Sequence, residues 1–80
     1  MKIVELTKMK VVTYFDIEVH VPATIHFIAT DESGKFLGYE EEPVAELELK
    51  FWDSPNGLDM YELGVLDLEG KDWTTTLQAV

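Results

Sequence analysis

The most constraining feature of this chain is a strict alternation of apolar and polar residues over 44–52, directly after a block of three glutamates. The apolar parity holds Ala45, Leu47, Leu49 and Phe51. The other parity holds Glu46, Glu48, Lys50 and Trp52. Because successive side chains of a β-strand point to opposite faces, this spacing predicts one strand with a core face and a solvent face.

Two segments leave an alternative open. A helix over 43–53 is compatible with the sequence, because proline is favoured at the first helical position and Glu, Ala and Leu are good helix formers. Residues 2–12 fit neither a period of two nor a helical period of about 3.6, and their β-branched content favours a strand over a helix.

Residues 14–21 and 23–30 also alternate as strands do, with Pro22 between them at an edge, bulge or bend, since proline cannot donate to a sheet ladder. Tyr14 falls on the polar face of the first of these segments. The predicted core draws on all three alternating segments, and its members are Phe15, Ile17, Val19, Ile25, Phe27, Leu47, Leu49 and Phe51.

Turn residues separate these segments. Asp31 at the first position and Gly34 at the fourth predict a type I turn that closes a hairpin. Residues 35–39 are then the return strand, which Gly38 weakens. The Ser-Pro-Asn-Gly run at 54–57 predicts a second hairpin, because proline presets φ and Asn and Gly tolerate positive φ.

The last third of the chain contains one shift of phase and one further turn. In 58–68 the apolar residues change parity, and a β-bulge at Gly64 would return them to one face. Residues 69–72 predict a turn, and 73–80 predict a threonine-rich closing strand. The chain as a whole therefore reads as six or seven short strands at intervals of about ten residues, which predicts an all-β fold. We expect a single antiparallel sandwich or barrel over residues 1–80.

Composition narrows the class of function. The net charge is −10, and the entire excess lies in residues 31–80, where thirteen acids face three lysines. Such a surface repels phosphate, and the chain contains no arginine, so we expect no direct binding of nucleic acid or membrane. The absence of cysteine and of an apolar run of about 18 residues predicts a soluble, cytoplasmic protein.

No residue pattern indicates an enzyme or a cofactor site. Asp16, Glu18 and His20 share a parity and could bind a divalent metal if a neighbouring strand added a ligand. Alternating polar residues on a solvent face produce the same pattern, so we expect no metal site. Cysteine is absent, and both serines, Ser33 and Ser54, lie in predicted turns without a nucleophile motif.

The sequence instead favours a protein-binding module. Trp52 and Tyr14 take the polar parity of their strands, and aromatic residues ringed by charge are common in interfaces. The alternative is that they cover a second core layer or pack under a loop. The predicted partner-binding residues are Glu40, Glu41, Glu42, Glu46, Glu48, Trp52, Asp59, Glu62 and Asp67.

The acidity of these residues suggests a partner with a basic surface. Alternate acids on one strand lie about 6.7 Å apart, whereas a DNA strand carries a charge about every 3.4 Å. Acids from a neighbouring strand, about 4.8 Å away, would approach that density. We therefore expect an inhibitor that mimics nucleic acid on the partner's basic surface. The alternatives are a small-molecule or metal-binding module and a self-associating structural subunit.

In size, acidity, lack of cysteine and strand pattern, the chain resembles many small virus-encoded inhibitors of host proteins. The resemblance is one of composition and covers no motif. It implies a function through binding and assigns no role to any single residue.

Overall fold

A computed structural model describes residues 1–4, 6, 8–54 and 60–80. Within these ranges the chain forms eight strands and one 3₁₀ turn, Trp73–Thr75. The strands are β1 Met9–Tyr14, β2 Ile17–Pro22, β3 Phe27–Thr30, β4 Lys35–Tyr39, β5 Val44–Glu46, β6 Phe51–Asp53, β7 Met60–Val65 and β8 Gln78–Ala79. All pairings are antiparallel, so the predicted all-β fold is confirmed.

The strands form three sheets and, over the described residues, no closed barrel. A four-stranded sheet has the order β7-β4-β3-β8, and β1-β2 and β5-β6 are separate two-stranded sheets. The two small sheets cover opposite faces of the central one. Ile28 of β3 packs with Tyr14 and Val21 of the β1-β2 hairpin, while Ala29 packs with Trp52 of β6. Because neighbouring residues of β3 point to opposite faces, both faces of this strand are buried.

Thr30 connects the three sheets through all of its polar groups. Its hydroxyl oxygen lies 2.6 Å from the hydroxyl of Tyr14, and its backbone carbonyl accepts a bond of 3.0 Å from the indole nitrogen of Trp52. Its backbone N–H donates to the hydroxyl oxygen of Thr76 at 2.9 Å. These bonds matter for stability because Thr30 is buried, and each unpaired polar group in the interior costs about 1–3 kcal/mol of folding free energy.

The predicted hairpin at Asp31–Gly34 is confirmed. The Gly34 N–H donates to the Asp31 carbonyl at 2.9 Å, and the Asp31 N–H donates to the Lys35 carbonyl at 2.9 Å. Gly34 has a φ of 93°, and a Cβ at this position would collide with the carbonyl oxygen of Leu66. Glycine is therefore required here both by backbone conformation and by the approach of a neighbouring chain segment.

The single strand predicted over 44–52 is wrong, and so is the alternative helix. The chain forms β5, turns through 47–50 and returns as β6. Leu47 and Leu49, predicted to be core residues, are 67% and 72% exposed, whereas Trp52 is buried. The physical reason is that the turn changes which face each later residue occupies, so the Trp52 ring enters the core, where its indole N–H has a hydrogen-bond partner.

The continuous strand predicted over 14–21 is also wrong. Tyr14 pairs with Ile17, and the two residues between them, Phe15 and Asp16, have φ values of 46° and 64°. Positive φ at both central positions is the requirement of a type I′ hairpin turn. The turn directs Tyr14 into the core and leaves Phe15 and Ile17 exposed, although Val19 still packs against the core as predicted.

Elsewhere the predicted core residues fare better. Ile25 is buried, and Phe27 packs half-buried against the cluster that contains Trp52. Phe51 is half-buried. Gly38 of β4 has a clear packing role, because a Cβ there would lie 2.8 Å from Cγ2 of Ile25.

The predicted bulge at Gly64 and the predicted turn at 69–72 are confirmed, whereas the predicted closing strand is confirmed only in part. Between β4 and β7 the register shifts so that Leu63 is unpaired beside Gly64, which is the predicted bulge. The turn within 69–72 forms, with the Lys71 N–H bound to the Leu68 carbonyl at 2.9 Å. In 73–80 a 3₁₀ turn capped by Asp72 precedes the two-residue β8, so the long final strand is wrong.

Two predictions touch the undescribed residues. The turn predicted at 54–57 lies largely outside the described residues. The strands on its two sides, β6 and β7, belong to different sheets and therefore do not form the predicted hairpin pair. Of the ambiguous segment 2–12, the part from Met9 onward is strand β1.

Candidate protein-binding surface

The turn between β5 and β6 presents two exposed leucines between carboxylates, and we call residues 46–50 the acidic hairpin tip. Leu47 and Leu49 alternate in sequence with Glu46 and Glu48. The turn is closed by the Lys50 N–H, which donates to the Glu46 carbonyl at 2.8 Å. The Glu48 N–H also donates to Oε1 of Glu46 at 3.2 Å. These bonds hold the leucines at the outer end of the hairpin.

Trp52 fixes the base of this hairpin and is not the surface residue that the sequence predicted. Its indole N–H donates to Thr30, its backbone N–H donates to Oδ1 of Asp31 at 2.8 Å, and its carbonyl accepts from the Tyr39 hydroxyl at 3.2 Å. Its ring meets the ring of Trp73 edge-on at 5.9 Å. The alternating pattern assigned Trp52 to the solvent face wrongly, because the intervening turn changes which face each later residue occupies.

A neighbouring hairpin supports the acidic hairpin tip from the side. The Glu32 N–H, in the β3-β4 turn, donates to the Lys50 carbonyl at 3.2 Å. The Lys50 ammonium lies 3.2 Å from Oε2 of Glu32. Lys50 has a φ of 60°, so its backbone is committed to the turn conformation. The tip is therefore preorganised, which reduces the entropy lost when such a surface binds a partner.

Burial at the base of the hairpin also affects its titratable groups. Desolvation raises the pKa of the Asp31 carboxyl, and the hydrogen bond from the Trp52 N–H opposes this only in part. Desolvation likewise raises the pKa of the Tyr39 hydroxyl, with the nearby Asp31 and Asp53 carboxylates adding to the effect. The Asp31 carboxyl accepts from the Trp52 N–H and the Tyr39 hydroxyl donates to the Trp52 carbonyl, so both groups position Trp52.

The remaining acids do not form one surface from neighbouring strands, as the sequence predicted. Glu46 belongs to β5, which pairs with β6, whereas Glu62 belongs to β7, which pairs with β4 and places Glu62 3.6 Å from Lys35. Asp67 follows β7, and its Oδ1 accepts from the Glu69 N–H at 2.9 Å. Asp59 lies outside the described residues.

The glutamate block before β5 remains next in sequence to the hairpin. Glu41 and Glu42 are exposed, and Glu40 is half-buried. Of the predicted partner-binding residues, the structure joins Glu46 and Glu48 through a hydrogen bond, whereas 40–42 are their neighbours in sequence. Sequence reasoning identified these acids but missed the exposed leucines, because 46–50 contains no Gly, Pro, Asn or Asp to indicate a turn.

The described residues form neither a metal-ligand cluster nor a membrane-spanning helix. No group of three metal-ligating side chains occurs among the residues that the structure describes. Asp16 lies in a turn, which removes it from the strand face that Glu18 and His20 share. In the described part of the chain, no helix has the length and apolar character needed to cross a bilayer.

Comparison with protein-family models, with curated proteins and with solved structures finds no match to this chain.

Proposed function

We propose that this chain is a non-enzymatic protein-binding module whose acidic hairpin tip inserts into an apolar groove edged by basic residues. The observation that carries the proposal is the exposure of Leu47 and Leu49 on a turn that is fixed by hydrogen bonds. Exposed apolar side chains rimmed by polar residues mark protein-interaction sites.

The leucines and the acids differ in how much binding free energy each can supply. Burying one leucine side chain contributes about 1.5–3 kcal/mol, so the pair can supply about 3–6 kcal/mol of binding free energy. An exposed ion pair contributes about 0–1 kcal/mol. Leu47 and Leu49 therefore supply affinity, while Glu46 and Glu48 orient the encounter and accelerate association.

The charge of the chain suggests the chemistry of the partner. A net charge of −10 favours a basic surface, and basic surfaces commonly hold nucleic acid. The proposed consequence is competitive inhibition of nucleic-acid binding by the partner. Pairing with a second copy is opposed by the same charge, which would repel an identical molecule.

The test is affinity capture from the native host with three versions of the chain. We expect the wild type to retain a partner that Leu47→Ser/Leu49→Ser loses, because the serines remove the buried apolar area. Val65→Ser is the matched control, since Val65 is 73% exposed but lies on β7, and it should retain the partner. Added DNA or RNA should displace the chain from the partner.

Two results would count against the proposal. Retention of the same partner by the double serine variant would show that the tip is only a solvated turn. Equal loss with Val65→Ser would show that any reduction of surface hydrophobicity abolishes capture. Substitution of Glu46→Gln/Glu48→Gln tests the electrostatic role, and it should slow association by about tenfold or less while leaving dissociation nearly unchanged.

A further inference from the structure

A separate cleft of about 310 Å³ lies between the β1-β2 turn and the loop 66–71, and we call it the lateral cleft. Phe15 and Ile17 form one wall, and Leu66 and Leu68 contribute apolar surface from the loop. Ligand pockets in proteins begin at about 300 Å³, so this volume suits a single side chain or a group of similar size.

The polar groups at the floor of the lateral cleft are already hydrogen-bonded to one another. The hydroxyl of Tyr14 donates to the Thr76 carbonyl at 2.9 Å, and the hydroxyl of Thr30 completes the network at 2.6 Å from the Tyr14 oxygen. In the described part of the chain, no buried side-chain nitrogen or oxygen lacks a hydrogen-bond partner. The buried end of a guest is therefore apolar, because a polar group there would lose its bonds to water.

The rim of the lateral cleft carries more negative than positive charge. Asp67 and Glu69 place two exposed carboxylates on the loop side, and Lys71 is the one lysine among the lining residues. The Lys71 ammonium lies 4.8 Å from the centroid of the Phe15 ring. The chain's own cation thus marks the ring face as a position where a cation is stabilised.

From this geometry we infer that the lateral cleft binds an arginine or lysine side chain of a partner polypeptide. The methylene stem packs against Ile17, Leu66 and Leu68. The cationic head stacks on Phe15 between the carboxylates of Asp67 and Glu69 and displaces the Lys71 ammonium. This site is distinct from the acidic hairpin tip, and the inference does not depend on the function proposed for the tip.

The conformation of Phe15 supports a binding role for its ring. A bulky residue with a φ of 46° is uncommon, and Asn or Gly would occupy this turn position with less strain. Phe15 is nevertheless 41% exposed at the cleft wall, and its ring centroid lies 4.8 Å from that of Tyr14 in a T-shaped arrangement. An aromatic side chain is thus held at the cleft in a position where local backbone preference disfavours it.

The test is an NMR titration with the capped peptide acetyl-Gly-Arg-Gly-amide and its citrulline counterpart, which has the same shape without the charge. We expect the arginine peptide to shift the amide signals of Phe15 and Leu68 with a Kd on the order of 1 mM, as a single-residue contact permits. The citrulline peptide should bind at least about fivefold more weakly, given the size of a cation–π contribution.

Variants of the chain make the assignment specific. Lys71→Gln removes the competing cation and should tighten binding, whereas Phe15→Leu keeps apolar bulk, loses the ring face and should weaken binding about two- to fivefold. Asp67→Asn should also weaken binding. Glu18→Gln is the matched control, because this exposed carboxylate on β2 is not one of the residues that line the cleft, and it should leave the Kd unchanged.

Three outcomes would overturn the inference. These are equal binding of the citrulline peptide, weaker binding after Lys71→Gln, and concentration-dependent shifts of the cleft residues in the absence of peptide. The last would show a second copy in the cleft. Unchanged peptide binding by Leu47→Ser/Leu49→Ser is expected, so failure at the cleft is distinguishable from failure at the acidic hairpin tip.

Discussion

At the scale of single residues, Trp52 anchors the base of the acidic hairpin tip through three hydrogen bonds. Its indole N–H, backbone N–H and carbonyl each bond to a different residue, all on β3, β4 or the turn between them. The position of the tip therefore depends on a buried residue.

Trp52→Phe should lower the free energy of unfolding by about 1–3 kcal/mol, because it removes the indole bond to Thr30 and part of the buried ring. Thr30 keeps one partner, since its carbonyl also accepts from the Thr76 hydroxyl at 3.0 Å. The measurement is urea denaturation. Trp73→Phe is the control: its ring is only half-buried, so it should cost less, and equal costs would contradict the role given to the Trp52 indole.

Asp31 and Asp72 should titrate on opposite sides of the ordinary pKa of 3.8. Burial raises the pKa of Asp31, whereas hydrogen bonds from the Thr74 hydroxyl and backbone N–H lower the pKa of Asp72. Carboxyl-carbon NMR from pH 2 to pH 7, about the range that brackets both groups, measures each midpoint. Midpoints in the reverse order would contradict the two environments.

The same shifts predict opposite effects on stability. The folded state binds the Asp31 proton more tightly than the unfolded state, so its contribution falls as pH rises from 3.8 through the raised folded pKa. Asp72 contributes stability above 3.8 that is lost as pH falls through its lowered folded pKa. Asp31→Asn and Asp72→Asn should therefore change the pH dependence of unfolding in opposite directions.

At the scale of elements, the two outer hairpins turn through residues that the sequence does not mark as turns. Phe15, Asp16 and Lys50 all have positive φ, although none is glycine or asparagine. Tertiary contacts offset the backbone strain of these turns, because each turn directs a large aromatic residue, Tyr14 or Trp52, to the buried Thr30. Local propensity is overridden at both places by burial of an aromatic ring.

Asp16→Gly should stabilise the chain by about 0.5–1 kcal/mol, because glycine adopts a φ of 64° without steric cost. Asp53→Gly is the matched control, since Asp53 is equally an exposed aspartate but lies in the extended β6. There the same replacement should destabilise by about 0.5–1 kcal/mol. Thermal denaturation of both variants measures the contrast, and changes of the same sign would rule out the turn as the cause.

These elements also show which parts of the structure could be read from the sequence. The β3-β4 hairpin and the Gly64 bulge were predictable because Asp31, Gly34 and Gly64 act locally. The turns at 15–16 and 47–50 were not, because their conformations depend on contacts with residues distant in sequence. For the candidate site, charge alone identified Glu46 and Glu48, whereas the exposure of the leucines required knowledge of the turn.

At the scale of the whole molecule, a small core carries a large net charge. The sheet order places β3 between β4 and β8, and each of its faces is covered by a different hairpin. Residues 27–29 are consecutively apolar because both faces of the strand are buried. The alternation predicted for this segment, which assumes one solvent face, therefore does not describe it. Folding then brings a net charge of −10 into one compact body.

Salt should therefore stabilise the chain. Raising ionic strength from about 0.01 M to about 0.15 M shortens the Debye length from about 30 Å to about 8 Å and screens the repulsion among the acids. If screening adds about 1 kcal/mol, Tm rises by about 4–8 °C in a domain of this size. Scanning calorimetry with NaCl is the measurement.

A charge variant provides the control for this effect. Glu42→Lys/Glu48→Lys moves the net charge by four, from −10 to −6. Its Tm should rise less with NaCl than that of the wild type. An equal rise in both proteins would show that the salt acts through hydration of apolar surface and not through charge.

The position of β3 also governs when the chain can fold during its own synthesis. Thr30 bonds to Thr76, and the His26 carbonyl accepts from the Val80 N–H at 2.8 Å, so these contacts require residues that the ribosome adds about fifty positions later. At about 5–20 residues per second, translation of residues 31–80 takes roughly 3–10 s. During that interval the Phe27-Ile28-Ala29 segment lacks its β8 neighbour. Nascent chains of this protein are therefore expected to be clients of ribosome-associated chaperones until residues 76–80 have emerged from the ribosome.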